Sequence, residues 1–140
     1  MPLHVEIVSP ERVLYSGEGD MVVARAISGD IAFLPGHAPY VGALNVGPVR
    51  VILPQHGETA AAVHGGFVNV SNDRVIVLSD VAELPEQIDV DRARAAKARA
   101  EAAIKANEGD EEAKAALARA NTRLEVAGAG GAGTGSGSGH

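Results

Sequence analysis

The sequence predicts a β + α protein: an N-terminal β-sandwich or flattened barrel, then a C-terminal antiparallel two-helix hairpin. Three observations carry this. Short apolar runs recur from Leu3 to Leu78, some with a period of two, separated by Gly, Pro, Ser, Asn and Asp. Beyond Pro85 the period lengthens, so that Ala93, Ala96, Ala100, Ala103 and Ile104 share one helical face. A short break at Asn107-Glu108-Gly109-Asp110 then precedes a second stripe at Ala113, Leu117, Ala120 and Leu124. So short a loop between helices favours an antiparallel pair.

The strands follow in order. Leu3, Val5 and Ile7 alternate with His4 and Glu6, the pattern of a half-buried strand. Ser9-Pro10-Glu11 breaks it, Val13 to Tyr15 resumes it, and Ser16 to Gly19 turns. Met21 to Ala24 and Ile31 to Leu34 are extended, with Ser28-Gly29-Asp30 between them. Pro35-Gly36-His37-Ala38-Pro39 packs two prolines and a glycine into five residues, which forces a non-helical turn. Tyr40 to Leu44 and Val46 to Leu53 are two further strands, with Pro48 expected at a strand start or edge because it lacks an N–H. Pro54-Gln55-His56-Gly57 is a hairpin loop. Thr59 to Val63, Phe67 to Val70 and Val75 to Leu78 complete the set, with Gly65-Gly66 and Ser71-Asn72-Asp73 as breaks.

Asp80 to Ala93 is the hinge between the two modules. Pro85 biases its predecessor towards extended backbone, so no helix is expected before Glu86. Asp89 is a candidate N-cap, whose carboxylate can accept from first-turn N–H groups. Gly109 is expected just past the end of the first helix and Asp110 at the N-cap of the second. Alanine faces bury little apolar area at about 25 cal/mol per Å². The hairpin should therefore hold weakly to the β-domain and is a candidate moving part. The boundaries read from these signals are 1–84, 85–126 and 127–140, the last a flexible Gly/Ser-rich tail.

Composition excludes several function classes. Of the 140 residues 46% are hydrophobic, enough for a core, but only 3% are aromatic, so that core is mostly Val, Ile, Leu and Ala. A formal net charge of -6 argues against a general nucleic-acid binder. The absence of cysteine removes disulfides, thiolate catalysis and Cys-based zinc sites. The start, MPLHVEIVSP, has neither the basic nor the apolar stretch of a signal peptide, and no run is long enough to span a membrane. Membrane association is expected only through partners. The five histidines, His4, His37, His56, His64 and His140, include no HxH or HxxxH pair, and no metal site is expected. No phosphate-binding glycine loop and no nucleophile elbow is present, so no catalytic residue is assigned. His37 reads as a turn histidine bonded to backbone.

The remaining chemistry is basic and helical. Arg92 and Arg99 are seven apart and share a face, as do Arg119 and Arg123, four apart. In an antiparallel hairpin the start of the first helix lies beside the end of the second, which brings these four together. Such guanidinium groups repel unless a polyanion or an acidic surface joins them. Glu83 and Asp89 lie close by in sequence. An ordinary solvated face with i, i+4 pairs accounts for the same charges equally well.

Three segments resemble the epsilon subunit of bacterial F-type ATP synthase: SGDIAFLPGHAPY (28–40), GGFVNVSNDRVIVLSDVAE (65–83) and IDVDRA (88–93). They stand in the family's order, and the resemblance extends over Leu3 to Val126. The resemblance implies a β-sandwich of about ten strands, residues 1–84, that contacts the gamma subunit and the c-subunit ring. It implies a non-catalytic central-stalk rotor subunit that couples c-ring rotation, driven by protons, to ATP synthesis. It also implies a hairpin that opens towards the alpha and beta subunits of the catalytic head and inhibits ATP hydrolysis. The implied location is peripheral, at the cytoplasmic face of the bacterial plasma membrane. No cofactor is implied, but ATP is implied as a regulatory ligand of the folded hairpin, at Glu83, Ile88, Asp89, Arg92, Ala93, Arg99, Arg119 and Arg123. A stand-alone nucleotide-sensing protein without a rotary partner is the alternative. Departures from the family pattern are the tail after Val126 and Tyr40 following HAP.

Overall fold

A computed structural model describes residues 2–54 and 57–131. The β-domain holds β1 (Leu3–Val8), β2 (Val13–Gly19), β3 (Met21–Ala26), β4 (Gly29–Phe33), β5 (Tyr40–Ile52), β6 (Glu58–Ser71), β7 (Arg74–Leu78) and β8 (Ala82–Glu83). A single 3₁₀ turn, Pro85–Gln87, leads to α1 (Val90–Ala106) and α2 (Glu111–Gly131). The strand order is β2-β1-β7-β6-β5-β3-β4, with β8 on β6. All pairs are antiparallel except β1 with β7, which run parallel. Leu3, Val5 and Ile7 of β1 and Val75 and Val77 of β7 share one buried cluster with Val22 and Ala24 of β3. Strands far apart in the pairing order thus face one another across the core. The sheet folds back on itself into a sandwich.

The fold class stands, and the eight strands among the described residues agree roughly with the number expected, with β8 added and four expected strands joined into two. Two pairs of expected strands are continuous. β5 pairs its first half with the second half of β6, and its second half with the first half of β6, on either side of Asn45 and Gly65. Gly65 and Gly66 have φ of 92° and 136° and bend β6 without ending it. A Cβ on Gly66 would stand only 2.1 Å from the Leu78 carbonyl oxygen, so no other residue fits the bend. Ser79, buried, braces the corner: its Oγ lies 2.6 Å from the Gly65 carbonyl oxygen and 2.9 Å from that of Val81, and its one hydroxyl hydrogen serves the two acceptors between them. Pro48 lies inside β5 rather than at its start. The β3–β5 register slips between Val23 and Ala26, so the proline's missing N–H falls where that ladder lapses.

The Pro35–Pro39 turn is non-helical as expected. The Gly36 N–H donates to Asp73 Oδ1 at 2.7 Å, which ties this turn to the tight β6–β7 hairpin where Asn72 and Asp73 take positive φ. His37 bonds backbone, its Nδ1 lying 2.6 Å from the Ala38 carbonyl oxygen.

Both helices begin where their caps predict. Asp89 Oδ1 accepts from the Arg92 N–H at 3.1 Å, and Asp110 Oδ1 accepts from the Ala113 N–H at 3.0 Å. Pro85 opens the 3₁₀ turn one residue earlier than expected, because a first-turn proline has no N–H to satisfy. The C-terminal cap of α1 is Asn107 in extended backbone, and Gly109 instead donates its N–H to Asn107 Oδ1 at 3.1 Å. Ala93 and Ala100 on α1, and Ala113 and Ala120 on α2, are buried. α2 lies on β5 and β6, and α1 packs on α2. The helix also runs past the expected end at Val126, to Gly131. Val126 is wholly buried with Ala60, Ala62 and Ile88, and Ala127 packs beside it, which carries the helix into what read as tail. The rest of the tail, 132–140, and Gln55 and His56 of the expected hairpin loop lie outside the described residues.

Candidate functional site

A cleft of about 360 Å³ opens where β8, the 3₁₀ turn and the two helices meet. Glu83, Asp89, Arg92, Ala93, Arg99 and Arg123 line it, together with Gln87 and Ala96. Local structure fixes each. Glu83 sits on β8, whose pairing to Ala62 holds it at the edge of β6. Asp89 caps α1, and Arg92, Ala93, Ala96 and Arg99 follow at three- and four-residue steps along one face of that helix. Arg123 reaches in from α2. The structure thus brings six of the eight sequence-derived residues together across a 40-residue separation.

Two residues stand apart from the cleft. Ile88 is 9% exposed and packs with Ala60, Ala62 and Val126, where it anchors the hinge beneath α2. Arg119 does not line the cleft and instead donates through Nη2 to Glu112 Oε2 at 3.3 Å. The antiparallel geometry therefore assembles three of the four expected arginines. The fourth faces an acidic neighbour on its own helix.

The arginines that do converge are not equivalent. Arg123 Nε donates to Glu83 Oε1 at 2.7 Å and is committed to it. Arg92 and Arg99 form no ion pair with the described residues. The cleft therefore offers two uncommitted guanidinium groups, the planar donor type suited to phosphate oxygens. Burial opposes ionisation of the Glu83 carboxyl. The hydrogen bonds from Arg123 and His64 outweigh that and hold it below its ordinary range.

Sequence reasoning missed two residues here. Gln87 lines the cleft while its Oε1 accepts from the Leu84 N–H at 2.8 Å, closing the 3₁₀ turn. His64 places Nε2 3.0 Å from the same Glu83 oxygen that Arg123 binds, and its side chain is only 5% exposed. One signal was available. Ala60, Ala62 and His64 alternate along β6, so a face made of alanine beneath a helix carries one histidine.

A second feature lies at the other side of His64. A groove of about 530 Å³ is lined by Pro10, His64, Phe67, Leu78 and Ser79, among others. Phe67 is opposite Leu78 in one ladder and opposite Ala43 in the other, and Val41 is two residues from Ala43. Val41, Phe67 and Leu78 thus share one outward face. They are 70%, 56% and 48% exposed, an apolar patch unusual on a β-domain with so few aromatics. Among the described residues no helix is long and apolar enough to cross a membrane, and no group of three or more acidic or histidine side chains could hold a metal ion.

Comparison with known proteins gives concordant matches. Residues 2–85 match the family model for the ATP synthase delta/epsilon chain beta-sandwich domain, and residues 86–128 that for the delta/epsilon chain long alpha-helix domain. A protein of Streptomyces griseus named ATP synthase epsilon chain is 48% identical over 91 residues, 65% of this chain and 73% of that one. One of the same name from Thermobifida fusca is 51% identical over 94 residues, 65% of this chain and 69% of that one. Among solved structures, a chain of the Euglena gracilis mitochondrial ATP synthase superposes with a TM-score of 0.67 at 20% identity, covering 96% of this chain and 82% of that one. A chain of the Tetrahymena thermophila mitochondrial ATP synthase central stalk and c-ring gives 0.59 at 14% identity, with 91% and 97% covered. At such identities the likeness is one of fold.

Proposed function

The chain belongs to the delta/epsilon chain family of ATP synthases, and from that premise we propose that it is the central-stalk rotor subunit of a proton-translocating bacterial enzyme. In this reading it is a non-catalytic subunit. Its β-domain couples rotation of the c-subunit ring to the gamma subunit and so to ATP synthesis in the catalytic head. It is held at the cytoplasmic face of the membrane by those partners. The apolar face of Val41, Phe67 and Leu78 supports docking on gamma, because burial of such a patch drives association.

The hairpin is the regulatory part. In its docked position it completes a cleft with two uncommitted arginines, and this observation carries the reading that ATP is the ligand. Arg92 and Arg99 take the phosphates. Arg123, oriented by Glu83, lends its charge, and Asp89 and Gln87 stand where polar atoms of the base can be met. α2 supplies Arg123 and the sheet supplies Glu83, so the complete site exists only when the hairpin is docked. A ligand of that site shifts the population towards the docked state by its differential affinity and no more. The released hairpin is then the form that reaches the catalytic head and inhibits hydrolysis.

A calorimetric titration of the full chain with ATP tests the site. Saturable binding is expected, weakened about 10-fold or more in Arg92→Ala, the loss of a charged hydrogen bond to phosphate. Equal affinity in both proteins would remove Arg92 from the site, and no binding in either would reduce Asp89 and Arg92 to helix-capping residues.

A further inference from the structure

His64 has a role in the docked state that goes beyond orienting Glu83. Its side chain is buried on β6, the strand on which α2 packs, with Nε2 3.0 Å from the Glu83 Oε1 that Arg123 of α2 also binds. Nδ1 is also buried and has no hydrogen-bond partner among the described residues. Of the two neutral tautomers, the one with the proton on Nε2 lets Nε2–H donate to the carboxylate and leaves Nδ1 as a bare acceptor. A proton on Nδ1 would be a buried donor with no acceptor, which is costly.

The charged groups around the ring come from separate elements. Glu83 stands on β8, Arg123 and Arg119 on α2, and Asp80 on the rim of the groove that His64 also lines. The residue opposite on β5 is Val46, which carries no charge. Burial is the largest influence and pushes the imidazole pKa down. The hydrogen bond to Glu83 and the charge of that carboxylate partly offset it, and the charges of Arg123 and Arg119 push it further down. Release of α2 changes these influences unequally. It uncovers the ring and removes both guanidinium groups, but it leaves Glu83 in place on β8.

We propose that His64 is a proton-operated latch: release of the hairpin lets its imidazole take up a second proton beside Glu83, so acidification favours the open state. The inference rests on the reading that the hairpin leaves the sheet. The sign follows from linkage. The docked form binds fewer protons than the open form below about pH 6.5, the ordinary value for histidine, down to the depressed value of the docked ring. Docking is thus strongest at neutral and alkaline pH and is lost as pH falls through that window. Glu83 acts in the same direction only below about pH 4.5, outside the window. The latch makes one switch answer two inputs. ATP in the cleft closes it, and protons open it.

The test uses the lack of cysteine in the chain. Thr122→Cys on α2 puts a thiol at a buried position facing the sheet, and Val75→Cys in a second protein reports on the β-core. Labelling by dithiodipyridine is followed from about pH 7.5 to about pH 5.5 and divided by the rate for the unfolded chain at each pH, which yields an opening constant. Expected is an opening constant at Thr122→Cys well above that at Val75→Cys, rising towards 10-fold per unit fall in pH below about 6.5. In the His64→Gln background, whose amide can still donate to Glu83, that slope should vanish. A slope that persists in His64→Gln, or none with His64 present, overturns the latch alone. Equal opening constants at the two cysteines overturn hairpin release itself. Should His64→Gln fold poorly, the imidazole of His64 is titrated by NMR in the unsubstituted chain, and a value at or above the ordinary one overturns the latch.

Discussion

Val126→Ala tests how the hairpin is held. Val126 is fully buried and forms, with Ala60, Ala62 and Ile88, the apolar contact between α2 and the sheet. The substitution removes two methyl groups, each worth about 0.8 kcal/mol on burial, for about 1.6 kcal/mol in all. Any cavity left adds to this. Helix propensity acts on the docked and the released helix alike and cancels to first order. A loss of about 1.6 kcal/mol is about a 15-fold rise in the opening constant. Native-state hydrogen exchange reads it directly. Amides of α2 should exchange about 15-fold faster, through an opening whose sensitivity to denaturant is smaller than that of the β-core amides. Two results would refute the reasoning. Exchange in α2 changed by less than about threefold would mean that Val126 does not hold the helix. Denaturant sensitivity in α2 equal to that of β1 and β7 would mean that hairpin and sandwich unfold as one unit.

Other expected outcomes follow from the same contacts. Gly66→Ala should prevent folding or cost upwards of about 3 kcal/mol by urea denaturation, since the residue has φ of 136° and no room beside the Leu78 carbonyl. Glu83→Gln should weaken hairpin docking by about 1.5 kcal/mol, the low end for a charged hydrogen bond because both Glu83 and Arg123 keep some solvent. The Glu83 carboxyl is held below its ordinary range, so its contribution is present above about pH 4.5 and lost as pH falls through the docked value. That acid-side loss, followed by circular dichroism, should be absent in Glu83→Gln. Removal of residues 87–140 should leave assembly and coupling intact and abolish inhibition of hydrolysis, and loss of assembly would show that the hairpin is structural.

The parts of this fold legible in the sequence are those fixed by local physics. The alternation of Leu3, Val5 and Ile7 places β1 with those residues inward, and the caps at Asp89 and Asp110 mark the helix starts to the residue. The misreadings occur where a distant partner decides. Gly65-Gly66 read as a gap between strands because glycine usually punctuates. Only the carbonyl of Leu78 and the hydroxyl of Ser79 make it a bend in a continuous strand. Pro48 read as a strand start because the slip that accommodates it shows only in the pairing of β5 with β3. The end of α2 was misplaced because its glycine-rich composition opposes helix. Val126 and Ala127, packed near β6, override that. In the cleft, the spacing of Arg92 and Arg99 and the antiparallel pairing were enough to bring in Arg123. Glu112 and Arg119, seven apart, share a face of α2, so that pairing was open to helix geometry, but nothing local could show that Glu83 is shared with a histidine 19 residues away.

The central claim is that this chain works as a stalk subunit docked on gamma. The most direct test is binding of the full chain to an immobilised gamma subunit, beside Phe67→Asp, which puts a charge in the exposed apolar face. The account predicts saturable binding by the full chain and a loss of about 100-fold or more in the variant, the scale of a hot-spot residue. Full-strength binding by Phe67→Asp would move the interface elsewhere on the sandwich, and no binding by the full chain would contradict the account.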